Sequence, residues 1–174
     1  EAFAAPRLSQ APPLAAPAYG FILGLPRSGT TLVERILTGS PLARSNGETE
    51  NLLGALSAAA ATEGDVFDRI AQADPAKAQE AYARLAGAPG PVILEKLPLN
   101  YLYAGAIRLT MPNARIVRLT RAPADNGLAM FSTLFGSGYP FSYDLEELAD
   151  YQIAYEQLMA HWRATLGDQW LETA

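Results

Sequence analysis

The sequence has no cysteine and almost no histidine, and these two shortages exclude several kinds of chemistry. Without cysteine, the 174-residue chain has no disulfide, no thiolate metal ligand and no cysteine nucleophile. His161 is the single histidine, so the chain offers few residues for histidine-based catalysis or for a histidine metal site. We expect His161 to be structural. The sequence therefore predicts no metal site.

Lysine and long apolar runs are also scarce. Only two of the 13 basic residues are lysines, Lys77 and Lys96. The net charge is −5 and no basic run is present, which disfavours nucleic acid as a partner. No stretch approaches the roughly 18 apolar residues of a membrane-spanning helix. We expect a cytoplasmic globular protein whose length suits one domain.

The first 18 residues differ in composition from the rest of the chain. Residues 1–18 are rich in alanine and proline and show no periodicity. They lack the basic and apolar regions of a secretory signal, so they predict a linker or extended arm. We expect residues 19–174 to form one domain. Its pattern stops soon after a strand that opens at residues 169–171, which predicts a domain lacking its C-terminal part.

The stretch Gly24–Thr31 has the composition of an anion-binding loop. An apolar run typical of a buried strand, residues 19–23, precedes it, and apolar residues at helical spacing follow it as far as Gly39. Free backbone N–H groups and the helix dipole at such a helix start attract phosphate. The loop adds one cation and three hydroxyls, on Arg27, Ser28, Thr30 and Thr31.

The loop differs from that of nucleotide triphosphatases at one position. The spacing of Gly24 and Gly29 fits the pattern G-x-x-x-x-G-K-[ST], but Thr30 stands in place of the lysine. That lysine neutralises the β- and γ-phosphates, so we do not expect this loop to hold a triphosphate in the usual way. An ordinary strand-to-helix turn rich in small polar residues is the alternative.

Strands and helices alternate along the rest of the chain. Residues 92–96 and 115–119 predict two further strands. Helices are predicted over residues 50–61 with Thr49 as the cap, 65–73, 75–85, 99–110, 123–135 and 145–166. This alternation predicts an α/β fold with a three-layer parallel sheet. Ligands bind beyond the carboxyl ends of the strands in such sheets, which places Arg27, Lys96 and Arg121 on one edge.

Four motifs, taken in order, resemble those of the sulfotransferases. They are Leu25–Leu32 (LPRSGTTL), Asn46–Glu50 (NGETE), Glu95–Asn100 (EKLPLN) and Arg118–Asp125 (RLTRAPAD). The resemblance runs from about residue 19 to residue 171. It is closest to the bacterial branch often found behind tetratricopeptide repeats and to tyrosylprotein sulfotransferases.

The resemblance implies a P-loop-like nucleotide-binding architecture and a sulfuryl-transfer enzyme. The donor would be 3′-phosphoadenosine-5′-phosphosulfate (PAPS), the acceptor a hydroxyl or an amine, and no metal would be needed. It also implies an upstream tetratricopeptide-repeat region as a partner.

The resemblance further assigns roles to individual residues. The loop formed by Arg27, Ser28, Gly29, Thr30 and Thr31 matches the segment that holds the 5′-phosphate end of PAPS. Arg121 matches the arginine that binds the 3′-phosphate. Glu48 matches the glutamate base of tyrosylprotein sulfotransferases, and Lys96 the lysine that stabilises the leaving oxygen. Arg27 would share the charge on the sulfuryl oxygens.

One position departs from the family pattern, and two other functions stay open. The family usually has a serine eight residues after the 3′-phosphate arginine, where this chain has Ala129; Ser132 lies one turn later. A P-loop kinase-like phosphotransferase is disfavoured by the missing lysine and by the lack of an obvious magnesium-binding aspartate. A non-catalytic nucleotide-binding module is the third alternative.

Overall fold

The centre of the fold is a five-stranded sheet in which all neighbouring strands are parallel. The structure is a computed structural model that describes residues 19–87 and 92–174. The strands are β1 (Tyr19–Gly24), β2 (Ala43–Ser45), β3 (Val92–Lys96), β4 (Arg115–Leu119) and β5 (Trp170–Thr173). The helices are α1 (Thr30–Thr38), α2 (Asn51–Ala59), α3 (Val66–Ala71), α4 (Pro75–Ala86), α5 (Ala104–Thr110), α6 (Pro123–Phe131) and α7 (Leu145–Leu166). The predicted α/β fold with a three-layer parallel sheet is confirmed, and the predicted arm, residues 1–18, lies outside the described residues.

The order of the strands places β1 in the middle of the sheet. The order is β2-β3-β1-β4-β5, and because the pairing is parallel, all carboxyl ends lie on one edge. Ile22 pairs with Lys96 of β3, and Leu23 pairs with Arg118 of β4. The loop after β1 therefore starts between the ends of β3 and β4.

Alternating side chains divide the core between the two faces of the sheet. Phe21, Ile93 and Ile116 belong to a large cluster with residues from α2, α4, α5 and α7. Their neighbours Ile22 and Leu94 belong to a small cluster that Val33 of α1 joins from the other side. Successive residues of a strand point to opposite faces, so the face on which a polar residue lies follows from its position. Burial of each large apolar side chain contributes about 1.5–3 kcal/mol to stability.

Several helix predictions are wrong at their ends, and the predicted helices 50–61 and 65–73 each end two residues early, at Ala59 and Ala71. Thr49 is not the cap of α2, since the cap position is Glu50 and neither side chain bonds a helix N–H there. The predicted helix 99–110 is divided into a 3-10 turn, Pro98–Tyr103, and α5. The indole of Trp162 donates to the carbonyl of Tyr101 at 2.8 Å, so a tertiary contact takes an acceptor that a regular helix would use.

A further error concerns α6, which ends at Phe131 rather than at residue 135. The hydroxyl of Ser132 donates to the carbonyl of Leu128 at 2.7 Å, and such a bond competes with continuation of the helix. Strand β2 was not predicted. It has only three residues, and its pairing with β3 is a non-local contact that local composition does not encode.

Within the described ranges, no helix is both long and apolar enough to cross a membrane.

Candidate active site

The loop between β1 and α1 has the backbone of an anion-binding loop. Three of its residues have positive φ: Gly24 at 151°, Arg27 at 67° and Gly29 at 104°. At Gly24 a Cβ atom would lie 2.7 Å from the carbonyl oxygen of Leu119, so only glycine fits between β1 and β4. The left-handed conformation of Arg27 costs about 1–2 kcal/mol, and such strain is concentrated at functional sites.

The start of α1 leaves donors facing open space. Leu32 and Val33 both donate to the carbonyl of Gly29, so the N–H groups of Thr30 and Thr31 precede the first helical bonds. Apart from its own chain neighbours, no atom of the residues that the structure describes lies within 4 Å of the position that a Cβ of Gly29 would take. The side chain of Arg27 forms no hydrogen bond or ion pair with any residue that the structure describes, and the residue is exposed. These groups can meet an anion with little rearrangement.

Two residues from the region after β4 fix the loop. The guanidinium of Arg121 donates to the carbonyl of Arg27 at 3.0 Å. The side-chain amide of buried Asn126 donates to the carbonyl of Pro26 at 2.9 Å. The predicted 3′-phosphate residue, Arg121, therefore lies beside the predicted 5′-phosphate loop. Asn126 was not predicted from the sequence, although a polar residue on the first turn after the Arg-x-Pro segment gave a signal.

Lys96 lies at the end of β3 in a mostly acidic environment. Its side chain is only 5% exposed and forms an ion pair with Glu48. The Nζ atom also lies 3.8 Å from Oε2 of Glu34 on α1. The turn that carries Glu48 is fixed to β3, because the N–H of Lys96 donates to the carbonyl of Gly47 at 3.1 Å. Two carboxylates thus face one ammonium at the carboxyl edge of the sheet.

The neighbouring residue, Glu95, is buried on the opposite face of β3. One carboxylate oxygen accepts from the N–H of Leu52 at 3.3 Å and from the amide of Asn100 at 3.0 Å. The other oxygen lies near the hydroxyls of Thr49 and Tyr82 without a well-aligned hydrogen bond to either. Burial raises the pKa of Glu95, although these neighbours oppose the effect. Glu95 therefore caps the start of helix α2 from strand β3, which explains why Thr49 does not cap it.

Arg118 is a second buried cation, on β4. Its guanidinium forms an ion pair with Glu156 of α7 and donates to Glu172 of β5 at 3.1 Å and to the hydroxyl of Tyr155 at 3.2 Å. Burial alone lowers the pKa of Arg118, but these hydrogen bonds outweigh it and raise the pKa. For the carboxylate of Glu172 the effects are reversed. Burial raises the pKa of Glu172, but hydrogen bonds from Arg163, Trp170 and Arg118 outweigh burial and lower the pKa to about 2.

The predicted site residues form two groups on one edge of the sheet. Lys96 and Glu48 are in contact, and Arg121 contacts the backbone of the loop 27–31. In residues 19–87 and 92–174, no hydrogen bond or ion pair joins one group to the other. The sequence reasoning missed Glu34, whose helical position four residues after Thr30 was the only signal. No three acidic or histidine side chains of the described chain are grouped as metal ligands would be.

Comparison with known proteins agrees with this architecture. A parallel sheet with an anion-binding loop after its central strand defines a P-loop-like nucleotide-binding fold. The model of the Sulfotransferase family matches residues 21–173, so the chain belongs to the sulfotransferase family.

Two relatives extend beyond the chain. The chain superimposes on the sulfotransferase STF9 from Mycobacterium avium with a TM-score of 0.54 and 20% identity, over 97% of this chain and 60% of that one. An uncharacterized protein of Aquifex aeolicus (strain VF5) is 30% identical over 165 residues, which are 86% of this chain and 22% of that protein. The chain thus spans about a fifth of this curated relative and three fifths of the solved chain.

Proposed function

We propose that this chain carries the donor site and the catalytic groups of a sulfotransferase that uses PAPS. The acceptor would be a hydroxyl or an amine. The observation that carries the proposal is the pair of Lys96 and Glu48 at the same sheet edge as the loop after β1. A buried ammonium beside an exposed carboxylate supplies both an electrophilic group and a base.

The loop fits the 5′ end of such a donor. The first-turn N–H groups of α1, the exposed Thr31 and the exposed Arg27 offer several donors to a phosphosulfate, whereas the hydroxyl of Ser28 is buried without a hydrogen-bond partner among the described residues. Thr30 in place of the Walker lysine suits a group with less charge than a triphosphate. The open space at Gly29 lets the backbone approach the anion.

Arg121 is proposed to bind the 3′-phosphate. It is exposed, and among the described residues its guanidinium donates only to the carbonyl of Arg27, so donors remain for a phosphate. Ala129 offers no hydroxyl, and that of Ser132 bonds the carbonyl of Leu128. Arg121 would therefore carry most of the discrimination for the 3′-phosphate.

In the proposed reaction Glu48 takes the proton of the acceptor as its oxygen or nitrogen attacks sulfur. The bond from the acceptor atom to sulfur forms, and the bond from sulfur to the bridging phosphate oxygen breaks. Lys96 donates a hydrogen bond to the oxygen that keeps the electron pair, and Arg27 shares the charge of the sulfuryl oxygens. Lys96 retains its proton, so the balance is one proton moved to Glu48.

Nucleotide binding by the 174-residue chain tests the donor assignment. We expect adenosine-3′,5′-bisphosphate to raise the melting temperature more than adenosine 5′-monophosphate or ATP with magnesium does, since binding to the native state stabilises it. Arg121→Ala should weaken binding of the bisphosphate by about 10- to 100-fold, in line with 1.5–3 kcal/mol for a hydrogen bond to a charged group. It should leave the monophosphate nearly unaffected.

Arg115→Ala is the matched control, because Arg115 is an exposed arginine at the other end of β4. Stronger stabilisation by ATP with magnesium would favour the kinase-like alternative. Binding of the bisphosphate without transfer of labelled sulfate to any phenol, sugar or amine acceptor would favour the non-catalytic module. The tetratricopeptide-associated branch and the cytoplasmic location stay predictions.

A further inference from the structure

Glu34 is a second carboxylate beside Lys96, and the family resemblance gives it no role. Its Oε2 atom lies 3.8 Å from the Lys96 ammonium. The Glu34 side chain is 12% exposed, whereas that of Glu48 is 58% exposed. Charges attract more strongly where water is largely excluded, so Glu34 balances the buried ammonium from a less screened position than Glu48 does.

Ser45 fixes the orientation of Glu34. Its hydroxyl donates to Oε1 of Glu34 and accepts from the N–H of Gly47 at 2.8 Å. Ser45 itself lies in β2, where it pairs with Leu94 of β3. One oxygen of Glu34 is thus bound to the sheet and the other faces Lys96. The pair links the helix after the anion loop to the turn that carries Glu48.

The proposed reaction requires the contact between Lys96 and Glu48 to open. Glu48 must be free to accept a proton, and Lys96 must donate to the leaving oxygen. A buried ammonium that loses its ion-pair partner is costly unless another carboxylate remains close. We propose that Glu34, held by Ser45, is the positioning residue that keeps Lys96 at the end of β3 while Glu48 works as the base.

The role of this pair in transfer rests on the proposed function, whereas its hold on Lys96 does not. Glu34 takes no proton and touches no reacting atom. Its carboxylate stays beside the ammonium of Lys96, so Lys96 remains directed along the sheet edge. The donor and the acceptor would then meet Lys96 in a fixed position.

Acylation of lysine measures the hold on Lys96 without any activity. The chain has two lysines, and the exposed Lys77 serves as an internal reference for a reagent such as acetic anhydride, read by peptide mass spectrometry. We expect Glu48→Ala to change the relative rate at Lys96 by less than about twofold. Adding Glu34→Gln to this variant should raise it about 10-fold, because it removes the remaining carboxylate charge, 3.8 Å from the ammonium.

Ser45 and Glu80 supply the controls for the acylation experiment. In the Glu48→Ala background, Ser45→Ala should raise the rate at Lys96 and Ser45→Thr, which keeps the hydroxyl, should not. Glu80→Gln removes an exposed helix carboxylate and should have no effect. A large rise with Glu48→Ala alone, or none after Glu34→Gln, would overturn the proposal. A change in acylation at Lys77 or in the melting curve would show general unfolding. In that case the difference in the acylation rate of Lys96 between Ser45→Thr and Ser45→Ala tests the proposal.

Kinetics test the consequence for transfer. We expect Glu34→Gln to lower kcat about 10- to 100-fold, the range that misplacement of a reacting group produces. The dissociation constant of adenosine-3′,5′-bisphosphate should stay within about twofold, because the first-turn amides of α1 are retained. Equal losses of kcat and nucleotide affinity would mean a merely structural role and contradict the proposal. If the unaltered chain transfers no sulfuryl group while the acylation result holds, the proposed function fails and the hold on Lys96 stands.

Discussion

Lys96 and Arg118 are both buried cations on strands that flank β1, yet their surroundings differ. Each faces two carboxylates, and each side chain is at most 5% exposed. Arg118 lies on the face of the sheet that packs against α7, and Lys96 lies on the face that packs against α1. The alternation of side chains along a strand explains this, because Lys96 pairs with Ile22 and Arg118 with the next residue, Leu23.

The partners of the two cations differ in how they are held. Glu156 lies within α7 and Glu172 within β5, so Arg118 joins two regular elements. Its Nε, Nη1 and Nη2 atoms all have acceptors. The ion-pair partner of Lys96, Glu48, lies in a turn after β2 and is more than half exposed. A guanidinium with an acceptor at each of its three nitrogens stabilises the fold, whereas an ammonium with one exposed partner can change partners.

The largest expected effect is at Lys96. Lys96→Met keeps most of the packing but removes the charge, so sulfuryl transfer should fall about 10³-fold, as for loss of a group that stabilises developing charge. Binding of adenosine-3′,5′-bisphosphate should be largely retained. Lys77→Met, at the only other lysine, is the control and should have full activity. Transfer within tenfold of the unaltered chain would show that Lys96 does not act on the leaving oxygen.

A smaller effect, on stability and not on chemistry, is expected at Arg118. Arg118→Met leaves Glu156 and Glu172 without their shared partner and should lower the free energy of unfolding by about 2–4 kcal/mol. The lower end of this range is below the usual loss for a broken buried ion pair, because the side chain of Glu156 is half exposed. Urea denaturation measures it, with Arg115→Met on the same strand as the control. If Arg118→Met lost transfer activity at unchanged stability, the contrast between the two cations would be wrong.

The fold was predictable because its signals are local. The apolar runs of β1, β3 and β4 and the turn residues between them determine the alternation of strands and helices, and the carboxyl-end rule then locates Arg27, Lys96 and Arg121. The helix α7 was predicted to within a residue. Its start has a local signal, because the side chain of Asp144 accepts from two N–H groups of the first turn. The sequence did not predict strand β2 or the end of α6, because non-local pairing determines the strand and a side-chain hydrogen bond competes with the helix.

The supporting residues of the site could not be predicted in the same way. Glu34 looks like a polar position on a surface helix, and Glu95 looks like an interruption of a buried strand. Their roles depend on contacts that are distant in the chain. Glu95 accepts from Leu52 and Asn100, which are 43 and 5 residues away, and Glu34 accepts from Ser45, which is 11 residues away. Sequence spacing identifies the groups that meet a substrate more readily than those that hold them.

The smallest effect is expected at Glu95, which lies on the same strand as Lys96 but on the face of Arg118. Because burial raises its pKa, the native state favours the neutral carboxyl. Stability from this group is therefore full below the unfolded-state pKa, near 4.5, and is lost as the pH rises through the raised native value. Glu95→Gln cannot ionise, so its free energy of unfolding should exceed that of the unaltered chain by more at pH 7 than at pH 4.

The amide of Glu95→Gln also fits the surroundings of the carboxyl. Its oxygen can accept from the N–H of Leu52, and its NH₂ group can donate toward Thr49 and Tyr82. Urea denaturation across this pH range, with the exposed Glu63→Gln as the control, measures the difference. A difference that reversed sign, with the variant losing stability as the pH rises, would mean that Glu95 is held ionised. The contrast between Arg118, which stabilises one face of the sheet, and Lys96, which is proposed to act in transfer on the other face, would then have to include Glu95 as a third charged group.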